Sequence, residues 1–172
     1  MNTSIVLTVI ADDRPGIIKT VSEVLYKHGG SWTQSSMSSL AGQFAGILLA
    51  SVPVENSAAC QDELQGLESK GMRVIAQIGG ENARAEKKHE YLLQLVGNDR
   101  PGIVHDITTL LNNHNVNVRG LEAVTEAASM GGGELFKASA LLAIPASADI
   151  DKLQADIEEI ANDLMVDIRL EK

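Results

Sequence analysis

The pentapeptide Asp13-Arg14-Pro15-Gly16-Ile17 returns 86 positions later as Asp99-Arg100-Pro101-Gly102-Ile103. A repeat with a fixed period constrains a fold more than composition can, because each copy must be a unit that folds in the same way. The match extends outward at the same offset: Val21 answers Ile107, Leu25 answers Leu111 and His28 answers His114. Farther on, Phe44 to Pro53 has the same span as Phe136 to Pro145, so the second copy carries six extra residues between the two blocks. The chain reads as two small domains, residues 1–79 and 89–172, joined by a polar, charged linker over 80–88.

Each copy has the same order of elements. Short apolar runs of strand length, Ile5 to Ile10 and Tyr91 to Val96, lead into the Pro-Gly turn. Behind the turn, Ile17, Ile18, Val21, Val24 and Leu25 recur at the spacing of one helical face, as do Ile103, Val104, Ile107, Leu110 and Leu111. Proline suits the first helical position, so these helices are predicted to start at Pro15 and Pro101. They are predicted to end at Gly29-Gly30 and near Asn113-His114-Asn115. A second strand (31–39, 116–125) turns at Ala41-Gly42 or at Met130 to Gly133 into a third (44–52, 135–144), closed by Pro53 or Pro145. A second helix follows. It is clear in copy two, where Ile150, Leu153, Ile157, Ile160, Ala161 and Leu164 keep helical spacing behind Ser147 or Asp149 as N-cap. In copy one Cys60, Leu64 and Leu67 make a weaker stripe. Fourth strands are predicted over 72–78 and 165–170. The order βαββαβ, taken twice, is an α+β, ferredoxin-like fold with each antiparallel sheet covered on one face by two helices.

Charge and composition narrow the function. The net charge is −9 and is unevenly placed: residues 1–80 carry 5 basic and 7 acidic groups, whereas residues 89–172 carry 6 and 14. An acidic second half repels a phosphate backbone, so direct binding of nucleic acid is disfavoured. With one cysteine, Cys60, the chain has neither an intrachain disulfide nor a cysteine-built zinc site, which fits a reducing, cytoplasmic setting. No stretch approaches the length of a membrane span, and the first residues lack the pattern of a secretion signal.

The ferredoxin-like order hosts many functions, so each must be tested on residues. An RNA-recognition domain needs aromatics on its central strands, and these carry Leu, Val, Ala and Ser. A soft-metal carrier needs paired thiolates, and an acylphosphatase-like site needs a glycine-rich phosphate loop with a committed arginine. Neither is present. His28, His89, His105 and His114 have no evident carboxylate or nucleophile partner in sequence; His28 and His114 sit at helix ends, where they complement the dipole. No catalytic residue, metal ligand or cofactor site is identified. What remains is the repeated turn, which is either an efficient strand-to-helix connection alone or a binding site, where a helix start offers free backbone N–H groups to a small carboxylate and glycine lets a ligand approach the backbone.

The runs Val9 to Ile17 and Leu95 to Ile103 resemble the opening of an ACT domain, a βαββαβ module that binds amino acids and related small molecules to regulate enzymes and transcription. Two such domains in a chain of this length resemble the glycine cleavage system transcriptional repressor family. Openings of this type also head the regulatory domains of formyltetrahydrofolate deformylase and of uridylyltransferases, whose catalytic domains have no counterpart here. The resemblance implies a ligand pocket at an interface between ACT domains, using the first turn and the start of the second strand. On this sequence those are Asp12, Asp13, Arg14 and Gly16 with Ser31, and Asn98, Asp99, Arg100 and Gly102 with Asn117. Asn98 and Asn117 replace Asp12 and Ser31, which favours copy two for an amino acid's charged ends. Trp32 stands where copy two has Val118 and is expected to join the core. The family further implies a homodimer that responds to an amino acid, glycine first among them, and restrains a DNA-binding transcriptional activator without touching DNA. A detached regulatory subunit of an amino-acid metabolic enzyme is the other reading left open.

Overall fold

The computed structural model describes residues 1–79, 88–129 and 132–172. They fall into two compact units, Met1–Ala83 and Arg84–Lys172. Of the proposed linker, Lys88 opens a strand and the remainder lies outside the described residues, as do Met130 and Gly131 of the second hairpin turn.

The first unit runs β1 (Asn2–Asp12), α1 (Ile17–Lys27), β2 (Ser31–Leu40), β3 (Gln43–Pro53), α2 (Val54–Gln65), a 3-10 turn (Gly66–Lys70) and β4 (Met72–Ile78). The second runs β5 (Lys88–Asn98), α3 (Ile103–Asn113), β6 (Asn117–Ala127), β7 (Glu134–Pro145), α4 (Ile150–Leu164) and β8 (Val166–Glu171). All strand pairs are antiparallel, and the sheet orders β2-β3-β1-β4 and β6-β7-β5-β8 are equivalent. Both second strands break register at the same place, between Trp32 and Gln34 and between Val118 and Gly120. This is the predicted ferredoxin-like α+β fold, twice over.

Alternation places the cores. In β1, Ile5, Leu7, Val9 and Ala11 are buried and turn towards the helices, joined by Leu48, Ala50 and Val52 of β3. Val21, Leu25 and Leu64 close that core from the helix side. The second unit repeats it with Leu93, Leu95, Leu142, Ile144, Ile107, Leu111 and Leu153. Two residues depart from the predicted apolar face: Ile18 is 50% and Val104 41% exposed. Each follows a buried isoleucine, and one helical step turns it by about 100° away from the sheet. Trp32 also departs from expectation. It stays out of the core at 36% exposure, its indole N–H donating to Ser35 Oγ at 3.2 Å.

The helix boundaries follow backbone conformation. The helices begin at Ile17 and Ile103, two residues after the prolines where they were predicted to start. Gly16 and Gly102 intervene at φ +96° and +97°, a conformation no helix contains and few side chains tolerate. At the other ends Gly29 and Asn115 take positive φ after the caps His28 and His114, and the next amides return to Leu25 O and Leu111 O. Of the two proposed N-caps of α4 it is Asp149 that serves, accepting the Lys152 N–H at 3.0 Å. α2 buries Cys60 and Leu64 but stops before Leu67, which the 3-10 turn carries into the core. No described helix is long and apolar enough to cross a membrane.

Candidate functional site

The two repeated turns share a backbone. Asp13 N–H donates to Gly42 O at 2.9 Å and Asp99 N–H to Glu134 O at 2.8 Å, so each turn is pinned to the hairpin beside it. The first helical bonds run from Thr20 N–H to Gly16 O and from Asp106 N–H to Gly102 O. The amides of Ile17, Ile18 and Lys19, and of Ile103, Val104 and His105, therefore have no acceptor within their helices, and among the described residues no side chain caps either helix. A Cβ on Gly16 would meet nothing within 4 Å. The glycine is required by φ, and room for a ligand is not what selects it.

The side chains separate the copies. In the first turn Asp13 accepts the Ser39 hydroxyl at 2.6 Å, Asp12 accepts the Gln43 amide at 2.7 Å, and Arg14 donates to the Lys70 carbonyl of the 3-10 turn. All three are spent on the fold. Among the described residues no side-chain hydrogen bond engages Asn98, Asp99 or Arg100. Arg100 faces a groove of about 600 Å³ between α3 and α4, and Asp106, one turn into α3, faces the same groove. Asp106 was not singled out in the sequence, because the repeat places Thr20 at its position and nothing local marks it. Its carboxylate stands at the helix start, 3.8 Å from where a Cβ on Gly102 would be. Asn98 opens elsewhere, onto a groove of about 430 Å³ with Asn162 and Asp167. The turn thus offers a cation and an anion to one groove and an amide to another.

The expected second half of each site lies far off. Asn98 pairs with Leu135 of β7, whereas Asn117 pairs with Ala143, eight residues along the same strand. At roughly 3.3 Å per residue the two asparagines are offset by about 26 Å along the strand direction. Asp12 and Ser31, on Gln43 and Ser51, are separated in the same way. The chain runs up the first strand and down the first helix, so one domain cannot bring the turn and the start of the second strand together.

The histidines, read in the sequence as helix-end groups without a carboxylate partner, do have partners. His28 Nε2 lies 2.8 Å from Glu63 Oε2 on α2, and His114 Nε2 lies 2.7 Å from Asp156 Oδ2 on α4. Each ring ties the two helices of its domain, across 35 and 42 residues of chain that hid the pairing. In the first domain Lys27 Nζ also reaches Glu63, at 2.7 Å; at its position the second domain has Asn113. The Lys27 and His28 hydrogen bonds hold the Glu63 carboxyl below its ordinary range. Burial, with the Glu63 charge adding to it, pushes the Cys60 thiol up. Among the described residues no group of three or more His, Cys, Asp or Glu is placed to hold a metal ion.

Two models of the ACT domain family match the sequence, one over residues 3–77 and the other over residues 85–164. The chain is a tandem pair of ACT domains. No curated protein matches it in sequence. Among solved structures it is similar to an unknown protein from Galdieria sulphuraria, at 27% identity and a TM-score of 0.88, over 99% of this chain and 98% of that one. It is also similar to a protein described as a candidate glycine cleavage system transcriptional repressor, at 16% identity and a TM-score of 0.68, over 99% and 97%. That second likeness, at 16% identity, is one of fold. ACT domains are regulatory modules, and this chain is a tandem ACT regulatory protein.

Proposed function

We propose that this tandem ACT protein is an amino-acid-responsive transcriptional regulator of the glycine cleavage repressor type, a binding protein without catalysis that acts by contacting a DNA-binding activator. The observation that carries the ligand site is the inequality of the two turns. The first ACT domain spends Asp12, Asp13 and Arg14 on its own hairpin and 3-10 turn. The second keeps Arg100 and Asp106 on one groove. An amino acid is a zwitterion, and these two groups match it: the guanidinium takes the carboxylate in a charge-assisted pair, and Asp106 faces the ammonium. Gly102 and the free amides at the start of α3 adjoin that pair, whereas Asn98 faces the neighbouring groove with Asn162 and Asp167. Asn117 and Ser31, at the far ends of their sheets, enter only where another ACT domain of a homodimer is brought alongside.

Charge supports action through protein contact. Residues 89–172 carry 14 acidic and 6 basic groups, which suits the basic surface of a DNA-binding protein and repels DNA itself. The full-length likeness to the candidate repressor supports the same reading.

Calorimetric titration with glycine, then with the other amino acids, tests it. Saturable binding of one amino acid is expected. Arg100→Ala removes a charge-assisted bond of about 1.5–3 kcal/mol and should weaken binding by roughly ten- to a hundredfold. Arg14→Ala should leave the affinity unchanged and lower the unfolding midpoint instead, because Arg14 holds the Lys70 carbonyl. Equal losses in the two variants, or no binding by any amino acid, would sink the assignment.

A further inference from the structure

The groove between α3 and α4 extends well beyond the turn that opens it. At one end stand Arg100 and Asp106; Asp163, Glu159 and Asp156 of α4 follow along the rim. Four carboxylates thus face one guanidinium, with His105 and His114 the remaining titratable groups of the lining. His114 is engaged by Asp156. Leu110 and Ile160 form the floor, both packed against the core yet open to the groove. An apolar floor between acidic rims, along two packed helices, is the complement of an amphipathic helix whose apolar ridge is flanked by Lys and Arg.

The first ACT domain shows that the repeat does not require such a surface. There the equivalent helices are strapped by Lys27, whose ammonium meets Glu63 across the gap, and α1 carries a second lysine, Lys19. In the second domain these positions are His105 and Asn113, so both lysines are gone and the strap with them.

From these observations we infer that the α3–α4 groove is the docking surface of this chain, and that its occupant is a basic amphipathic helix of the protein it regulates. The inference deepens the regulatory reading and rests on it, since that reading supplies a DNA-binding partner and such proteins carry Lys/Arg-rich helices. Charge complementarity selects this occupant: residues 89–172 are the acidic half of the chain, and the groove gathers four of its carboxylates along an apolar floor. Arg100 and Asp106 belong both to the ligand turn and to the groove, so an amino acid held by that pair occupies one end of the docking surface.

A fluorescently labelled synthetic helix of lysines and leucines is the probe, its binding to the full chain read by anisotropy. Saturable binding is expected, weakening as salt rises from about 50 mM to about 500 mM. The double reversal Glu159→Lys/Asp163→Lys, at exposed positions, should weaken binding roughly tenfold or more. The reversal Glu55→Lys/Asp62→Lys on α2 changes the net charge identically and should leave the affinity as it is. Glu159→Gln/Asp163→Asn serves should the reversed chain not fold, with a smaller loss in the same direction. Absence of saturable binding, equal loss from both reversals, or displacement of the helix by spermidine at matched charge would overturn the inference. Titration of the same samples with amino acids keeps the two ideas apart. Amino-acid binding without helix binding removes the groove and leaves the sensor, whereas helix binding without any amino acid removes the sensor and leaves the groove.

Discussion

At the scale of single residues, the two Asp-Arg-Pro-Gly turns are alike in backbone and unlike in chemistry. Gly16 and Gly102 hold nearly the same φ, and that conformation explains why both copies keep glycine. Gly16→Ala and Gly102→Ala are each expected to cost about 1–2 kcal/mol in denaturant unfolding, although the added methyl meets nothing within 4 Å at Gly16 and only Asp106 Oδ2, at ordinary contact distance, at Gly102. A cost near zero would show that the turn relaxes and that the glycine serves a ligand instead. The motif was legible in the sequence because it recurs. Which copy has spent its side chains was not legible. Ser39, Gln43 and Lys70, which occupy Asp13, Asp12 and Arg14, lie between 26 and 56 residues from their partners, and no local pattern marks such pairs. Asp106 escaped notice for the converse reason: its role depends on a groove that exists only once α3 packs beside α4.

At the scale of elements, period decided most of what could be read. Strands alternating in and out, and helices with apolar residues at three- and four-residue spacing, appeared where expected. Prediction failed where two requirements competed at one residue: Ile18 and Val104 satisfy an apolar pattern but lie one helical step past the covered face, and Trp32 yields a core place to the edge of its sheet. The cross-helix ties belong to this scale as well. Glu63 has a folded pKa below its ordinary value because Lys27 and His28 donate to its charged form. Its contribution to stability is therefore present above the ordinary glutamate range and is lost as pH falls through the lower folded value. Between about pH 6 and about pH 3 the native chain should lose more stability than Glu63→Gln, measured as the difference in unfolding midpoints, because the variant has no such group to protonate. Parallel losses in the two chains would show that the α1–α2 tie is not felt in the free energy.

At the scale of the whole molecule, each ACT domain has a core of its own, one closed by Leu64 and Leu7, the other by Leu153 and Leu142. Leu64→Ala deletes a side chain that is fully buried and should cost about 2–5 kcal/mol. Hydrogen exchange should report that loss in the amides of β1, α1, β3 and β4 while those of β5 to β8 keep their protection. Equal loss of protection in both halves would mean that the two cores melt as one.

The sequence alone determined the duplication, the βαββαβ order and the acidic second half. Each of these is a property of period, turn chemistry or charge count, and local or repeated signals survive in one dimension. Tertiary structure decided which copy keeps its charged groups unspent, that the starts of the second strands lie a sheet's length from the turns, and that one helix pair is strapped by lysine while the other leaves an open acidic groove. Those outcomes depend on residues tens of positions apart meeting across a packed surface, and no repeat, however clear, encodes the distance between them.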